Sequence, residues 1–232
     1  MCSSDLKKES LEKEGKEVTE GMETKAEMRV TPEELRRAID YLAELNVLKR
    51  TPRSGWRLAG PPPAVEQDYV AAHEGITSHL GFILGRMEGL NLEEALQIAG
   101  ISAFHDDQEI RTGERDKLAS HYQKITPEVV ARALEDQTSQ LPEEIGREIF
   151  ELCMEANFGE TQKAVIARDA DILEASLHAK ISHERGFKIP EDLLSLYLDP
   201  GRVQTRSAKR LMQALRIRKD LTTRWLKRSL DV

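Results

Sequence analysis

A histidine and three acidic residues directly follow an apolar run in this chain. The run, LQIAGISAF at 96–104, has the composition of a helix that belongs in a core, so its polar end, residues 105–109, should reach a buried place. Buried charge is costly unless a cation or another partner compensates it. The sequence therefore predicts a metal ion at this end of the helix, provided that other segments supply further ligands.

The rest of the chain predicts helices and no sheet. Apolar residues make up 39% and charged residues 32% of the 232 residues, enough for a sizeable core beneath a charged surface. Thr31 and Pro32 mark one helix start, and Asn91 with Glu94 forms a capping box at another. No alternating β-pattern occurs, so we expect an all-α, compact helical bundle. Helices are predicted from about 64–67 to Met87, and near 115–123, 126–137, 142–156, 160–185 and 203–229.

Charge divides the chain into three parts. Residues 1–28 carry a net charge of −3 and few large apolar residues, which predicts a disordered tail. Residues 201–232 carry +8, which leaves −12 for the domain at 29–200. A basic helix beside an acidic body is expected to pack on its own domain or on a partner subunit rather than on nucleic acid. We therefore expect a homodimer and no nucleic-acid partner.

The expected location is the cytoplasm. No run of eighteen apolar residues is present, so no membrane span or membrane partner is expected, and the N-terminus has no apolar segment typical of a secretory signal. Cys2 and Cys153 form no disulfide framework, which fits a reducing compartment.

Candidate metal ligands occur in three separated segments. His105 and Asp106 are candidate ligands on their own evidence, because they place charge at the end of an apolar helix. His73 alone would be interpreted as a core histidine. Asp171 alone would fit the solvated edge of a helix, and Asp169 is an alternative to it. Two imidazoles and two carboxylates suit a six-coordinate divalent ion with water completing the shell. Structural zinc would instead favour thiolates, which two cysteines cannot supply.

These residues resemble the pattern H…HD…D of the HD-domain phosphohydrolase superfamily, and more closely its bacterial and archaeal 5′-deoxynucleotidases. The segments VAAH at 70–73, AFHDDQEIRTGE at 103–114 and DADILE at 169–174 are similar to the family's motifs. The loop KRTPRSGW at 49–56 resembles one near the start of many members. The likeness spans about 35–188.

The resemblance implies one divalent metal ion (Mn, Co, Mg, Zn, Ni or Fe) held by a set of four ligands. It favours Asp171 over Asp169 as the last ligand, because the residues that follow Asp171 match the family's segment. Asp169 and Asp107 are then expected outside the ligand set, as supporting or surface groups. The implied ligands are His73, His105, Asp106 and Asp171.

The implied reaction is hydrolysis of deoxynucleoside 5′-monophosphates by a metal-activated water. Glu109 is the candidate for orienting that water and moving its proton, on a helical turn that continues from His105. Glu114 would contact the sugar, and Arg53 and Trp56 would contact the phosphate and the sugar or base. Two alternatives remain open. One is hydrolysis of another nucleotide, cyclic or polyphosphorylated. The other is a regulatory module that binds metal or nucleotide without turnover.

Overall fold

The computed structural model describes residues 30–59, 68–223 and 225. The fold described below is that of the unit Glu33–Val232, as far as its residues are described. The predicted disordered tail at 1–28 lies outside the described residues.

The described residues form eleven α-helices, two 3-10 helices and no β-strand, which confirms the all-α prediction. None of these helices is long and apolar enough to cross a membrane. The helices are α1 Pro32–Leu45, α2 Trp56–Ala59, α3 Val70–Met87, α4 Leu92–Ala103, α5 Glu109–Thr112, α6 Lys117–Tyr122, α7 Pro127–Thr138, α8 Glu143–Phe158, α9 Gln162–Glu184, α10 Glu191–Tyr197 and α11 Arg206–Ile217, with 3-10 helices at Asn46–Arg50 and Pro200–Arg202.

Helices α3, α4 and α9 pack against one another at the centre of the fold. The predicted capping box at Asn91 and Glu94 is present and fixes the start of α4. Apolar side chains of the three helices share one buried cluster with side chains of α11, represented by Leu84, Ile98, Leu173 and Met212. Moving any of these side chains out of the core would expose apolar surface to water. The cluster therefore fixes the positions of the helices and of the polar residues that they carry.

Helices α7 and α8 form a second, smaller cluster beside the first. Val130, Leu134 and Cys153 are buried there. Two side chains of α8 bind the turn that follows α4: the Cys153 thiol donates to Phe104 O (2.8 Å), and Asn157 Nδ2 donates to His105 O (2.9 Å). The position of His105 and Asp106 therefore depends on α8 as well as on α4.

Two predicted helix boundaries are wrong. Helix α3 begins at Val70 rather than near 64–67, because Tyr69 is extended and forms an isolated antiparallel bridge with Pro52. The C-terminal helix ends at Ile217 rather than near 229. Arg218 is extended, and the backbone N–H of Leu221 donates to Glu184 (2.8 Å), which turns the chain back towards α9.

Candidate metal centre and adjoining cavity

His105 and Asp106, the HD pair of the predicted motif, lie in a turn rather than on a continuing helix. This segment between α4 and α5 is called the HD turn below. Helix α4 ends at Ala103, and the short helix α5 begins at Glu109, so the prediction of a continued helical turn is wrong. The backbone N–H of Glu109 bonds to Asp106 O (2.8 Å), which closes the turn. The turn still keeps Glu109 close to Asp106, because a tight turn changes direction within the same few residues.

The four predicted ligands converge where the first turn of α3, the turn after α4 and the middle of α9 meet. His73 Nε2 lies 3.2 Å from His105 Nε2 and 3.1 Å from Asp171 Oδ1. Asp106 Oδ2 lies 3.2 Å from His105 Nε2 and 3.8 Å from His73 Nε2. His73, His105 and Asp106 alone already bring three potential ligand atoms within 4.8 Å of one another.

Hydrogen bonds at the far side of each imidazole ring orient these nitrogens. His105 Nδ1 lies 2.7 Å from Ser102 O, and a carbonyl can only accept, so Nδ1 carries the proton and a neutral ring presents a lone pair at Nε2. His73 Nδ1 lies 2.5 Å from the Glu174 carboxylate, which fixes a proton on Nδ1 in the same way. Two nitrogen and two carboxylate donors at such distances form a donor set that fits a divalent cation.

The same donors hold a proton when no cation is bound. Burial lowers the pKa of His73, but hydrogen bonds to Asp171 and Glu174 outweigh this effect and raise the pKa to about 10. Burial raises the pKa of Asp171, but the hydrogen bond with His73 and nearby positive charges hold it well below its usual range. The centre therefore attracts positive charge, and a metal ion would compete with the proton on His73 Nε2.

The two other acidic candidates have structural partners. The buried Asp169 carboxylate accepts hydrogen bonds from the backbone N–H groups of Gln204 (2.8 Å) and Thr205 (2.7 Å) at the start of α11. Asp107 is also buried rather than on the surface, and it accepts a hydrogen bond from Tyr41 Oη (3.1 Å). Both carboxylates thus support neighbouring elements.

Arg53 reaches the candidate metal centre from the loop between the 3-10 helix Asn46–Arg50 and α2, which is called the Arg53 loop below. Its Nη1 lies 3.2 Å from Asp106 Oδ2, and its Nη2 lies 3.9 Å from Asp171 Oδ1. The backbone N–H of Arg53 donates to Asp68 O (3.0 Å), and the Ser54 N–H donates to Glu114 Oε2 (2.6 Å). These bonds fix a guanidinium beside the ligands, where it can contact a phosphoryl oxygen.

Glu109 has one carboxyl oxygen that is buried and lacks a hydrogen-bond partner among the described residues. Burial and the charge of Asp106 raise the pKa of Glu109 to about 9, although Arg53 and His73 oppose the shift. Unpaired buried oxygens are uncommon in folded proteins, and this one belongs to a side chain that lines a cavity. A water molecule in that cavity would be a suitable partner.

The cavity beside the centre has a volume of about 630 Å³. Trp56 lines it, but the indole N–H donates to Asp68 (3.1 Å), and the ring packs against His178 and Tyr197 with centroid distances of 4.5 and 5.4 Å. Glu114 also lines the cavity and uses one oxygen to hold the Arg53 loop. The lining includes Arg53, Asp106, Glu109, Asp171, Ile172, Leu193, Leu196 and Arg202.

Glu174 is the main contributor that the sequence analysis missed. It lies three residues after Asp171 on α9, so both side chains share one helical face, and that spacing could have indicated it. Glu174 also lies near Asp68 and His178, a second group whose ligand atoms are within 4.8 Å of one another. Asp68 and Glu174 are already bound to Trp56 and His73, so this group is interpreted as a hydrogen-bonded support for the centre.

Solved structures share this fold at low sequence identity. A conserved hypothetical protein from Pyrococcus furiosus is 22% identical, with a TM-score of 0.61 over 77% of this chain and 98% of that one. A predicted metal-dependent phosphohydrolase from Magnetospirillum magnetotacticum is 18% identical, with a TM-score of 0.60 over 82% and 94%. A predicted coding region from Archaeoglobus fulgidus is 21% identical, with a TM-score of 0.51 over 81% and 98%. At these identities the likeness concerns the fold.

No curated protein sequence matches the chain. The family model of the HD domain matches residues 45–195, which is more than half of the chain and contains every predicted site residue. The segment begins before the Arg53 loop and ends in α10, so it includes the candidate metal centre and most of the adjoining cavity. The chain therefore belongs to the HD-domain family.

Proposed function

We propose that the protein is a divalent-metal-dependent phosphohydrolase that converts deoxynucleoside 5′-monophosphates to deoxynucleoside and phosphate. The observation that carries the proposal is the convergence of His73, His105, Asp106 and Asp171, with Arg53 and Glu109 directly beside them. Membership of the HD-domain family and the similarity in fold to the predicted metal-dependent phosphohydrolase from Magnetospirillum magnetotacticum support the same class of reaction.

His73, His105, Asp106 and Asp171 would hold the cation. A divalent cation, when bound, supplies a Lewis acid that makes water a better nucleophile and neutralises phosphoryl charge. Glu174 and Ser102 O keep the two imidazole rings oriented through their Nδ1 atoms. The protein's contribution is therefore a donor set in which hydrogen bonds fix the orientation of both imidazole rings.

Glu109 and Arg53 act on the reacting groups. A divalent cation at the centre would lower the pKa of Glu109, so that the Glu109 carboxylate could orient the attacking water and take its proton. One of its oxygens has no protein partner among the described residues and is therefore available for that water. Arg53 stabilises the phosphoryl oxygens as the water oxygen bonds to phosphorus and the bond to O5′ breaks. The proton then passes to the departing 5′-oxygen. Trp56 and Tyr197 offer an apolar wall for the nucleoside.

The test is phosphate release from a nucleotide panel by the purified protein, with Mn²⁺, Co²⁺ or Mg²⁺ added and bound metal determined. Wild-type turnover should vanish in Asp106→Ala and fall by about 100-fold or more in Glu109→Gln. Glu148→Gln, an exposed residue of α8, is the matched control and should keep wild-type activity. Full activity of Asp106→Ala would refute the site. Metal binding without hydrolysis of any nucleotide would favour a regulatory module.

A further inference from the structure

A set of cationic side chains in the cavity has no role in the reaction just described. Lys117, at the start of α6, and Arg202, in the last 3-10 helix, line the same cavity as Arg53 and Glu109. Within the described ranges, no carboxylate lies within 4.0 Å of either cationic group. The nearest acid in sequence, Asp116, is bound by Arg57 Nη2 (2.7 Å) and by the N–H of Ala119 (2.8 Å).

The geometry holds Arg202 in place. Its guanidinium carbon lies 5.4 Å from the centre of the Tyr197 ring, and Nη1 donates to Tyr197 O at 3.4 Å. A guanidinium held against an aromatic ring loses little further freedom when it binds an anion. Four of its five N–H groups therefore remain available, since the long bond to Tyr197 uses one.

Lys117 lies close enough to Arg202 for the two charges to interact. Burial lowers the pKa of Lys117, and the charge of Arg202 lowers it further, whereas Asp171 raises it. Two like charges that face one cavity repel each other, and an anion between them would relieve this repulsion. Arg53, by contrast, already has the carboxylates of Asp106 and Asp171 as neighbours.

We propose that Lys117 and Arg202 form a second phosphate-binding site in this cavity, so that a nucleotide with a second phosphate binds more tightly than the monophosphate. These two side chains would bind the phosphate that is not hydrolysed. This inference rests on the proposed function and extends its substrate class from monophosphates to nucleotides that carry a second phosphate. The two phosphates would occupy separate parts of one cavity, with the first beside Arg53 and the candidate metal centre. The second phosphate could be attached to the sugar or to the first phosphate, and the test distinguishes these sources.

The test compares the binding of three nucleotides to the full chain by calorimetry, in EDTA so that metal-dependent turnover does not consume the ligand. The probes are deoxyadenosine 5′-monophosphate, its 3′,5′-bisphosphate and its 5′-diphosphate. At least one of the two-phosphate probes should bind at least about tenfold more tightly than the monophosphate. The reason is that Lys117 and Arg202 each contribute a strong hydrogen bond from a charged group to the second phosphate. Whichever probe gains affinity shows where the second phosphate is attached.

The double variant Lys117→Met/Arg202→Gln should lose this preference, so that the affinity ratio falls to about one. The matched control is Lys209→Met/Arg210→Gln, two exposed residues of α11 outside the cavity lining, and it should keep the wild-type ratio. Thermal melting checks that each variant is folded. Higher ionic strength should reduce the preference in the wild type and in the control.

Equal binding of all three probes, or no detectable binding of either two-phosphate probe, would overturn the proposal. An unchanged preference in a folded Lys117→Met/Arg202→Gln protein would overturn it as well. Failure of the proposed function has a different signature, which is the absence of phosphate release with metal from every nucleotide. The binding ratio can be measured whether or not the protein turns over.

Discussion

The Glu174 carboxylate shows how one residue outside the predicted ligand set can govern the candidate metal centre. It is 6% exposed and lies 2.5 Å from His73 Nδ1, and its position decides which nitrogen of that ring faces the other ligands. A carboxylate in this position also makes the imidazole a stronger electron donor. Glu174 is therefore a positioning residue that acts through His73.

Replacing Glu174 with glutamine should weaken metal binding by about 10- to 100-fold, the usual cost of losing such a partner. The amide can still accept a hydrogen bond from Nδ1, but it lacks the negative charge. Titration of the metal-free protein with Mn²⁺ measures the effect. Glu160→Gln, an exposed residue just before α9, should bind metal as the wild type does. Equal affinity of the two variants would contradict the role assigned to Glu174.

Cys153 should be unreactive while the protein is folded. Its side chain is fully buried and donates to Phe104 O, and burial raises the pKa of the thiol well above its usual range. The thiolate is the reactive form, so both its scarcity and its inaccessibility slow modification. In a Cys2→Ser variant, a thiol reagent should label Cys153 only after denaturant is added. Rapid labelling of the folded protein would show that α8 separates from the HD turn.

At the scale of elements, α7 and α8 approach each other at a position that only glycine allows. A Cβ atom on Gly146 would lie 2.6 Å from the backbone oxygen of Thr138, and a backbone atom cannot move aside as a side chain can. The contact matters for the site because α8 holds the turn that contains His105. A change at Gly146 therefore tests how α8 supports the HD turn.

Gly146→Ala should lower the free energy of unfolding by about 1–3 kcal/mol, the usual cost of overpacking. The matched control is Gly100→Ala in α4, where the nearest atom to a new Cβ is Leu152 Cδ1 at 4.0 Å. That change should be neutral or stabilise by up to about 1 kcal/mol, because alanine is the better helix former. Denaturant unfolding measures both, and a Gly146→Ala protein as stable as the control would contradict the contact.

Local sequence signals predicted the helices well wherever the signal lies inside the helix. The capping box of Asn91 and Glu94 is an example, because both of its hydrogen bonds are made within four residues. The boundaries at Val70 and Ile217 depend instead on distant partners, Thr51 and Glu184, which bond to Val70 and Leu221. No local pattern carries that information, so those two boundaries were placed wrongly.

The candidate site also has a part that the sequence predicts and a part that it does not. The resemblance of residues 73, 105–106 and 171 to a family pattern identified side chains that the fold brings together. The cavity wall was not predictable, because Lys117, Tyr197 and Arg202 come from three elements whose meeting is a property of the tertiary structure. Trp56 was predicted to contact the sugar or base, and it lines the cavity, but no local signal indicated its bond to Asp68.

At the scale of the whole molecule, metal binding should stabilise the fold. The predicted ligands come from α3, from the turn after α4 and from α9, and these segments meet correctly only in the native state. A ligand that binds only the folded chain stabilises it by about 2.7 kcal/mol at one hundred times its Kd. Adding Mn²⁺ to EDTA-treated, dialysed protein should therefore raise Tm. Asp106→Ala, which lacks one predicted ligand, should show little or no rise.

The size of this stabilisation should depend on pH with a definite sign. Without metal, the raised pKa of His73, about 10 against an ordinary 6.5, gives stability that is complete below about 6.5 and is lost as pH rises through about 10. A metal ion must displace that proton, so its apparent affinity rises with pH across the same window. The Mn²⁺-induced rise in Tm should thus be larger at about pH 8 than at about pH 6.5. A rise that is equal or larger at the lower pH would show that His73 does not exchange a proton for the cation.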